Sequence, residues 1–407
     1  MMGSLKPSLS VRQEIRWSVL AELCGLFFLQ GMAMGAWFVP LGTVLDAHGL
    51  QAIKPFAFAT SAIAAFVSPL IFGALADRHV APVRVLRWLA LATASAMVLV
   101  ALAVQRAASS WLVLALIQVQ ALCAAPTWGL VNSIVLSRLS DALRQFGPVR
   151  SLATLGWMAG CWVVSGLHAD TSTAAFLVSA SVWLLVSLFT NWLPDVTPAI
   201  VAQRLTIRQR MGWDALALFK ERDHCVVFLT VALFAIPMAA FYPFAPTHLR
   251  QLGLERTSAW MTLGQVTEIV AMFLLPGLLG RWRLKWILAM GLGFGLLRYF
   301  LCTLNGTGWV LAGVTLHGFA FTFLFITAQI YLDQRIDSAW RTRAQALYTV
   351  MFSGMGNLVG YLGTGWWFHL SGRGGSPNWS FFWGGLAMAV VVVLLYFLST
   401  YRGRPHP

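Results

Sequence analysis

Glu268 lies in the apolar stretch Met261 to Met272, and the nearest charges are Arg256 and Arg281, about three helical turns away on either side. A charged carboxylate at that depth in hydrocarbon costs roughly 2.5–3.5 kcal/mol. It must face a cavity, pair with a cation or hold a proton. A carboxyl group carried between a wet and a dry setting changes its hold on a proton, which is what a proton carrier requires. Gln265 stands one turn earlier on the same helical face. The candidate cations are Arg150 and Arg298, the two basic residues inside apolar runs. Arg150 belongs to a pattern of its own: Arg150, Thr154, Trp157 and Cys161 recur at helical spacing and share a face. A guanidinium, a hydroxyl and an indole on one stripe suit a polar, planar ligand. The alternative is that Arg150 merely snorkels to the membrane surface.

Other residues add to this set. Pro237, Pro243 and Pro246 surround Phe241 and Tyr242, which predicts a broken helix and gives Tyr242 a ring and a hydroxyl to offer. Thr322, Phe325 and Gln329 share a helical face, and His317 precedes them as a residue expected to be held by a hydrogen bond. Pro126 and Asn132, in one apolar run, read as packing and interhelical bonding.

The elements that must carry these residues follow from composition. Of 407 residues 58% are hydrophobic and only 10% charged, with a mean hydropathy of +0.73. A soluble chain carries about 25% charged residues, so this composition implies an integral membrane protein. Twelve apolar runs approach the length needed to cross a bilayer, at roughly 17–45, 54–77, 82–104, 111–138, 148–168, 172–193, 223–250, 256–280, 284–303, 308–334, 341–368 and 378–400. Unpaired backbone is not tolerated in lipid, so they are expected to be helices and the fold all-α. With the N-terminus inside, 21 of the 28 Lys and Arg fall on the cytoplasmic side and five outside. Both termini are therefore expected in the cytoplasm. The longest polar segment, 194–222, divides the chain into a lobe at 1–193 and a lobe at 223–407, as in transporters built from two related halves.

The net charge of +14 is spread over short loops, which suits anionic lipid headgroups and not nucleic acid. No pair among the five cysteines has metal-ligand spacing, and the eight histidines form no HxxxH pair. No metal, cofactor or enzymatic centre is called for. The polar, basic start runs directly into a full-length span, unlike a cleaved leader.

Gly73-Ala-Leu-Ala-Asp77-Arg78, between the second and third runs, resembles the Gly-x-x-x-Asp-Arg signature of the major facilitator superfamily, where it acts as a conformational latch. Further stretches resemble the nucleoside:proton symporters of that superfamily. They are Leu29-Gln30 with Gly35 and Trp37; Pro126-Thr127 with Gly129-Leu-Val-Asn132; Pro148-Val-Arg150 with Thr154 and Gly156-Trp157; and Trp213-Asp214 through Phe219-Lys220. Gln265 with Glu268, Leu297-Arg298, Ala320-Phe321 and Arg341 through Gln345 continue the match. The resemblance implies a functional monomer in the inner membrane that imports nucleosides, or a similar small polar aromatic solute, together with protons. It implies that Arg150, Thr154, Trp157, Gln265 and Glu268 line the central cavity or take part in coupling, with Glu268 the proton site. Gln30, Tyr242, Thr322 and Phe325 complete the expected substrate site. Two departures stand out: Thr322 occupies a position where the family commonly has an aspartate, and Ala239 and Tyr242 replace a polar pair. The alternative is a facilitator or exporter of a sugar, aromatic acid or amphipathic compound without proton coupling.

Overall fold

In the computed structural model, residues 17–76, 80–194, 206, 213–373 and 376–403 are described. The first apolar run forms α1 (Trp17–Phe38) and α2 (Leu41–Ala47), separated at Val39-Pro40, where proline lacks the N–H that would continue the ladder. Next come α3 (Lys54–Ala76), α4 (Pro82–Gln105) with proline at its first position, and α5 (Ser110–Leu136), which is continuous through Pro126. Ser109 caps α5 and Asp141 caps α6 (Ala142–Gly166), each accepting a backbone N–H. Helix α6 thus starts before the apolar run at 148, because its first turn is polar and hydropathy does not mark it. The first half ends with α7 (Ala174–Phe189).

A 3-10 segment, Trp213–Lys220, leads into α8 (Arg222–Met238) and α9 (Phe241–Gln251), the broken helix that the three prolines predict. Helices α10 (Thr257–Met261) and α11 (Leu263–Arg281) carry the Glu268 run, followed by α12 (Leu284–Thr303). The next span is α13 (Thr307–Thr315), α14 (His317–Phe321), a π segment Thr322–Ile326 and α15 (Thr327–Arg335). A second π segment, Val350–Gly356, joins α16 (Ser338–Thr349) to α17 (Asn357–Ser371), and α18 (Trp379–Thr400) closes the chain. Among the described residues the sole strand pairing is Gly372–Arg373 with Ser376–Pro377.

Eight helical stretches among the described residues are long and apolar enough to cross a membrane. The runs expected at 54–77, 148–168, 172–193 and 341–368 also form helices, in α3, α6, α7 and α16 with α17. Among these, α6 is the one that carries Arg150.

Helices α1 and α6 pack with backbones touching. A Cβ on Gly31 would lie 1.9 Å from the carbonyl oxygen of Ala153, and one on Gly156 would lie 2.0 Å from that of Phe28. Only hydrogen at these positions lets the two helices meet. The halves touch where α2 meets α9, α3 meets α17 and α6 meets α10.

Candidate functional site

Exposure falls along the α6 stripe: Arg150 is exposed, Thr154 and Trp157 are half-buried and Cys161 is buried. The space beside α6 is therefore open at Arg150 and closed at Cys161. What closes it is aromatic. The Trp157 ring lies 6.0 Å from Phe38 of α1 and 5.9 Å from Tyr242 of α9, and Phe38 and Tyr242 are 5.3 Å apart. Phe38 also meets Phe58 of α3 edge-on, and Phe58 lies 5.6 Å from Tyr361 of α17. Rings from both halves thus form one plug, and Trp157 keeps a buried indole N–H without a partner. Such orphaned donors are rare and call for an explanation.

Against this wall stands α11. Gln265 donates from Nε2 to the Tyr242 hydroxyl at 3.1 Å. Glu268, one turn on, is half-buried, and Arg150 of the first half lies near enough to act on it as an unlike charge, without a salt bridge between them. The seat of Glu268 is set by Gly318 of α14, where a Cβ would come within 2.0 Å of the Glu268 backbone nitrogen. Thr267 reinforces the seam by donating to the Thr315 carbonyl.

Arg298 is occupied elsewhere. It is 2% exposed, bonds through Nη1 to His317 Nδ1 at 2.7 Å, and stacks over Phe241 at 4.4 Å and Tyr299 at 4.8 Å. A guanidinium has only donors, so His317 Nδ1 is the acceptor. His317 is itself stacked on Phe241, with centroids 3.9 Å apart. The two cations left open by the sequence are thereby separated: Arg150 is the one that acts on Glu268, and Arg298 serves a packed cluster behind Tyr242.

A carboxylate and a guanidinium contributed by opposite halves, flanked by a tryptophan, a tyrosine and an amide, now have comparisons to set beside them. The model of the nucleoside H+ symporter family matches residues 18–404. This chain belongs to that family. It is 32% identical to an Escherichia coli (strain K12) protein named as a nucleoside transporter, YegT, over 94% of this chain and 93% of that one. It is 25% identical to the xanthosine permease of the same organism, over 93% of this chain and 96% of the other. A crystal structure of the nucleoside transporter NupG shares the fold, with a TM-score of 0.85 at 23% identity, over 95% of this chain and all of that one. The protein is a multi-pass membrane transporter with the major facilitator fold, and not an enzyme.

In this symporter the remaining expected residues are buried in surroundings of their own or lie in or beyond the last described turn of α3. Gln30 is fully buried and donates to Thr127 of α5 at 3.0 Å, with its other amide atom unpartnered. Thr322 is 0% exposed and its hydroxyl has no partner. It begins the π segment, a feature often found at functional positions and invisible to helical periodicity. Phe325 is buried in a stack with Phe352 at 4.2 Å and Phe234 at 5.7 Å. Gly73 falls in α3, while Asp77 and Arg78 lie outside the described residues. The residues that sequence reasoning passed over are Phe38, Gly318, Gly31 and Gly160, the last two completing the paired motifs Gly31-x-x-x-Gly35 and Gly156-x-x-x-Gly160. The paired glycine spacing was the available signal, since it marks two helices that approach closely.

Proposed function

We propose that this transporter imports nucleosides, or a closely similar small polar aromatic solute, with protons by alternating access, and that Glu268 is the proton site. The observation that carries the reading is that Arg150 and Glu268 stand on opposite halves near enough to act on each other as unlike charges, without an ion pair between them. A carboxylate in a largely apolar setting keeps its charge only while an opposite charge lies near enough to act on it. A solute that takes the Arg150 donors leaves Glu268 without its partner, so the solute binds best when Glu268 holds a proton. Substrate and proton then stabilise the same state, which is coupling in the thermodynamic sense. Trp157 and Tyr242 supply faces for a planar base, and Gln265, Thr154 and the unpartnered Trp157 N–H supply polar contacts. Gln30, Thr322 and Phe325 complete the site in the reading that extends it along the cavity, and Gly73, Asp77 and Arg78 form the cytoplasmic latch.

The architecture that goes with this function is twelve spans, in lobes 1–193 and 223–407 joined by a cytoplasmic linker at 194–222. Both termini face the cytoplasm, and the protein works as a monomer in the inner membrane, in contact with anionic lipid and not with nucleic acid. Two facts support it: the helices alternate with the Lys and Arg excess, and the relatives span nearly the same length. In proteoliposomes, labelled uridine or adenosine should accumulate only under an inward proton gradient. Glu268→Gln should abolish accumulation yet retain exchange of internal for external solute. Uphill uptake by Glu268→Gln at the wild-type rate would remove Glu268 from coupling. The unpartnered Thr322, at a position where the family commonly has an aspartate, favours a second reading, facilitated transport without protons, and the same vesicles decide it by uptake indifferent to a pH step.

A further inference from the structure

Two carboxylates at the same end of the molecule each reach from the first half to the second. Asp46, at the end of α2, accepts from the Thr247 hydroxyl of α9 at 2.8 Å and pairs with Lys54, whose ammonium also reaches Thr247 at 3.2 Å. Asp170, 5% exposed after α6, accepts the Ser258 backbone N–H at 2.6 Å and the Ser165 hydroxyl at 3.1 Å. Ser165 in turn accepts the Ala259 N–H at 3.0 Å. Thr43 of α2 bonds to the Asp170 carbonyl and so joins the two sites. The backbones beneath are in contact, since a Cβ on Gly42 would lie 2.9 Å from the Pro243 carbonyl oxygen.

These bonds separate two environments. On one side is a cavity of about 1300 Å³ lined by Asp46, Lys54, Thr247, Arg250, Phe244 and Trp366 among others. On the other is Cys161, one turn before Ser165, which is 1% exposed and packs in a single buried cluster with Val39, Ala240 and Phe241. Beyond Cys161 come the Phe38–Trp157–Tyr242 plug and the opening at Arg150. Asp46 and Asp170 are therefore the polar seam between the cavity at this end and the buried core of the pathway. We infer that Asp46 and Asp170 are a paired clasp that holds the outer side of the transporter shut, and that both must release their partners on the opposite half before the pathway opens outward. The assignment of this side as outer rests on the orientation given under Proposed function. The clasp works because each carboxylate takes hydrogen bonds from a rigid helix of the other half, so a small separation of the halves breaks several bonds at once.

Native Cys161 reports on the clasp. A membrane-impermeant methanethiosulfonate reagent is applied to intact cells and, separately, to inside-out vesicles carrying the full chain. The Cys161→Ala protein sets the background from the other four cysteines. Thr247→Val keeps the side-chain shape and removes the Asp46 bond, and Asp170→Ala removes the second contact. Each should raise labelling of Cys161 in intact cells about tenfold, the factor that a hydrogen bond to a charged acceptor carries. The double variant should raise it by roughly the product, since the two contacts act on one opening equilibrium. Ser179→Ala, which removes a bond to the Ala33 carbonyl within the first half, should leave it unchanged. If Asp170→Ala does not fold, Thr247→Val alone decides. Unchanged labelling from both sides in folded Thr247→Val would overturn the clasp. A rise confined to inside-out vesicles would overturn the orientation, and with it the outer assignment.

Discussion

Replacing Gly318 with alanine tests whether helix packing positions Glu268, the proposed proton site. The added Cβ would stand 2.0 Å from the Glu268 backbone nitrogen, 2.3 Å from the Gly264 carbonyl oxygen and 2.6 Å from the Glu268 Cα. All three are main-chain atoms, so no side chain can swing away. Restoring an ordinary 3.4 Å contact from 2.0 Å moves α14 and α11 apart by about 1.4 Å, the difference between those distances. The Thr267–Thr315 bond spans that seam and is lost at such a separation. Overpacking of this kind costs ~1–3 kcal/mol, and the lost bond adds about 1 kcal/mol. Glu268 rides on the displaced helix, and a misplacement of about 1 Å can lower a rate by up to 100-fold. Gly318→Ala should therefore melt lower by thermal denaturation in detergent and take up labelled uridine in proteoliposomes 10- to 100-fold more slowly. Gly277→Ala on α11, the helix that carries Glu268, is the control, because a Cβ there meets nothing within 4 Å. It should be neutral or stabilise by up to about 1 kcal/mol through helix propensity. Equal stability and uptake for the two variants would refute the packing argument.

Thr322→Val should leave thermal stability within about 0.5 kcal/mol of wild type, because the lost hydroxyl has no protein partner. If that hydroxyl meets the solute, the KM for uptake should rise severalfold with the melting temperature unmoved, and an unchanged KM would take Thr322 out of the site. Arg298→Lys keeps the charge and loses the planar group stacked on Phe241 and Tyr299. It should destabilise by about 2–5 kcal/mol, the range for a disrupted buried charge contact, and a melting temperature equal to wild type would show the stack to be dispensable.

Hydropathy and helical periodicity are local properties, and they made the membrane class, the positions of most helices and the Arg150–Thr154–Trp157 stripe legible. The isolation of Glu268 was legible for the same reason, since a charge among apolar neighbours is a statement about adjacent residues. The broken helix around Phe241 followed from proline, whose missing N–H acts within one turn. By contrast, the choice of Arg150 over Arg298 as the neighbour of Glu268 depends on how α6, α11 and α12 are juxtaposed, and nothing local encodes that. The start of α6 at Ala142 was hidden because its first turn is polar and hydropathy does not mark it. The π segment at Thr322 was hidden because its sequence is that of an ordinary helix. Asp46 and Asp170 stood at the ends of apolar runs and looked like ordinary loop carboxylates; only the approach of α9 and α10 gives them their partners. One-dimensional patterns decided which residues are buried and helical, because burial in lipid selects composition turn by turn. Which buried groups meet is settled by contacts between segments far apart in the chain, and those exist only once the helices have packed.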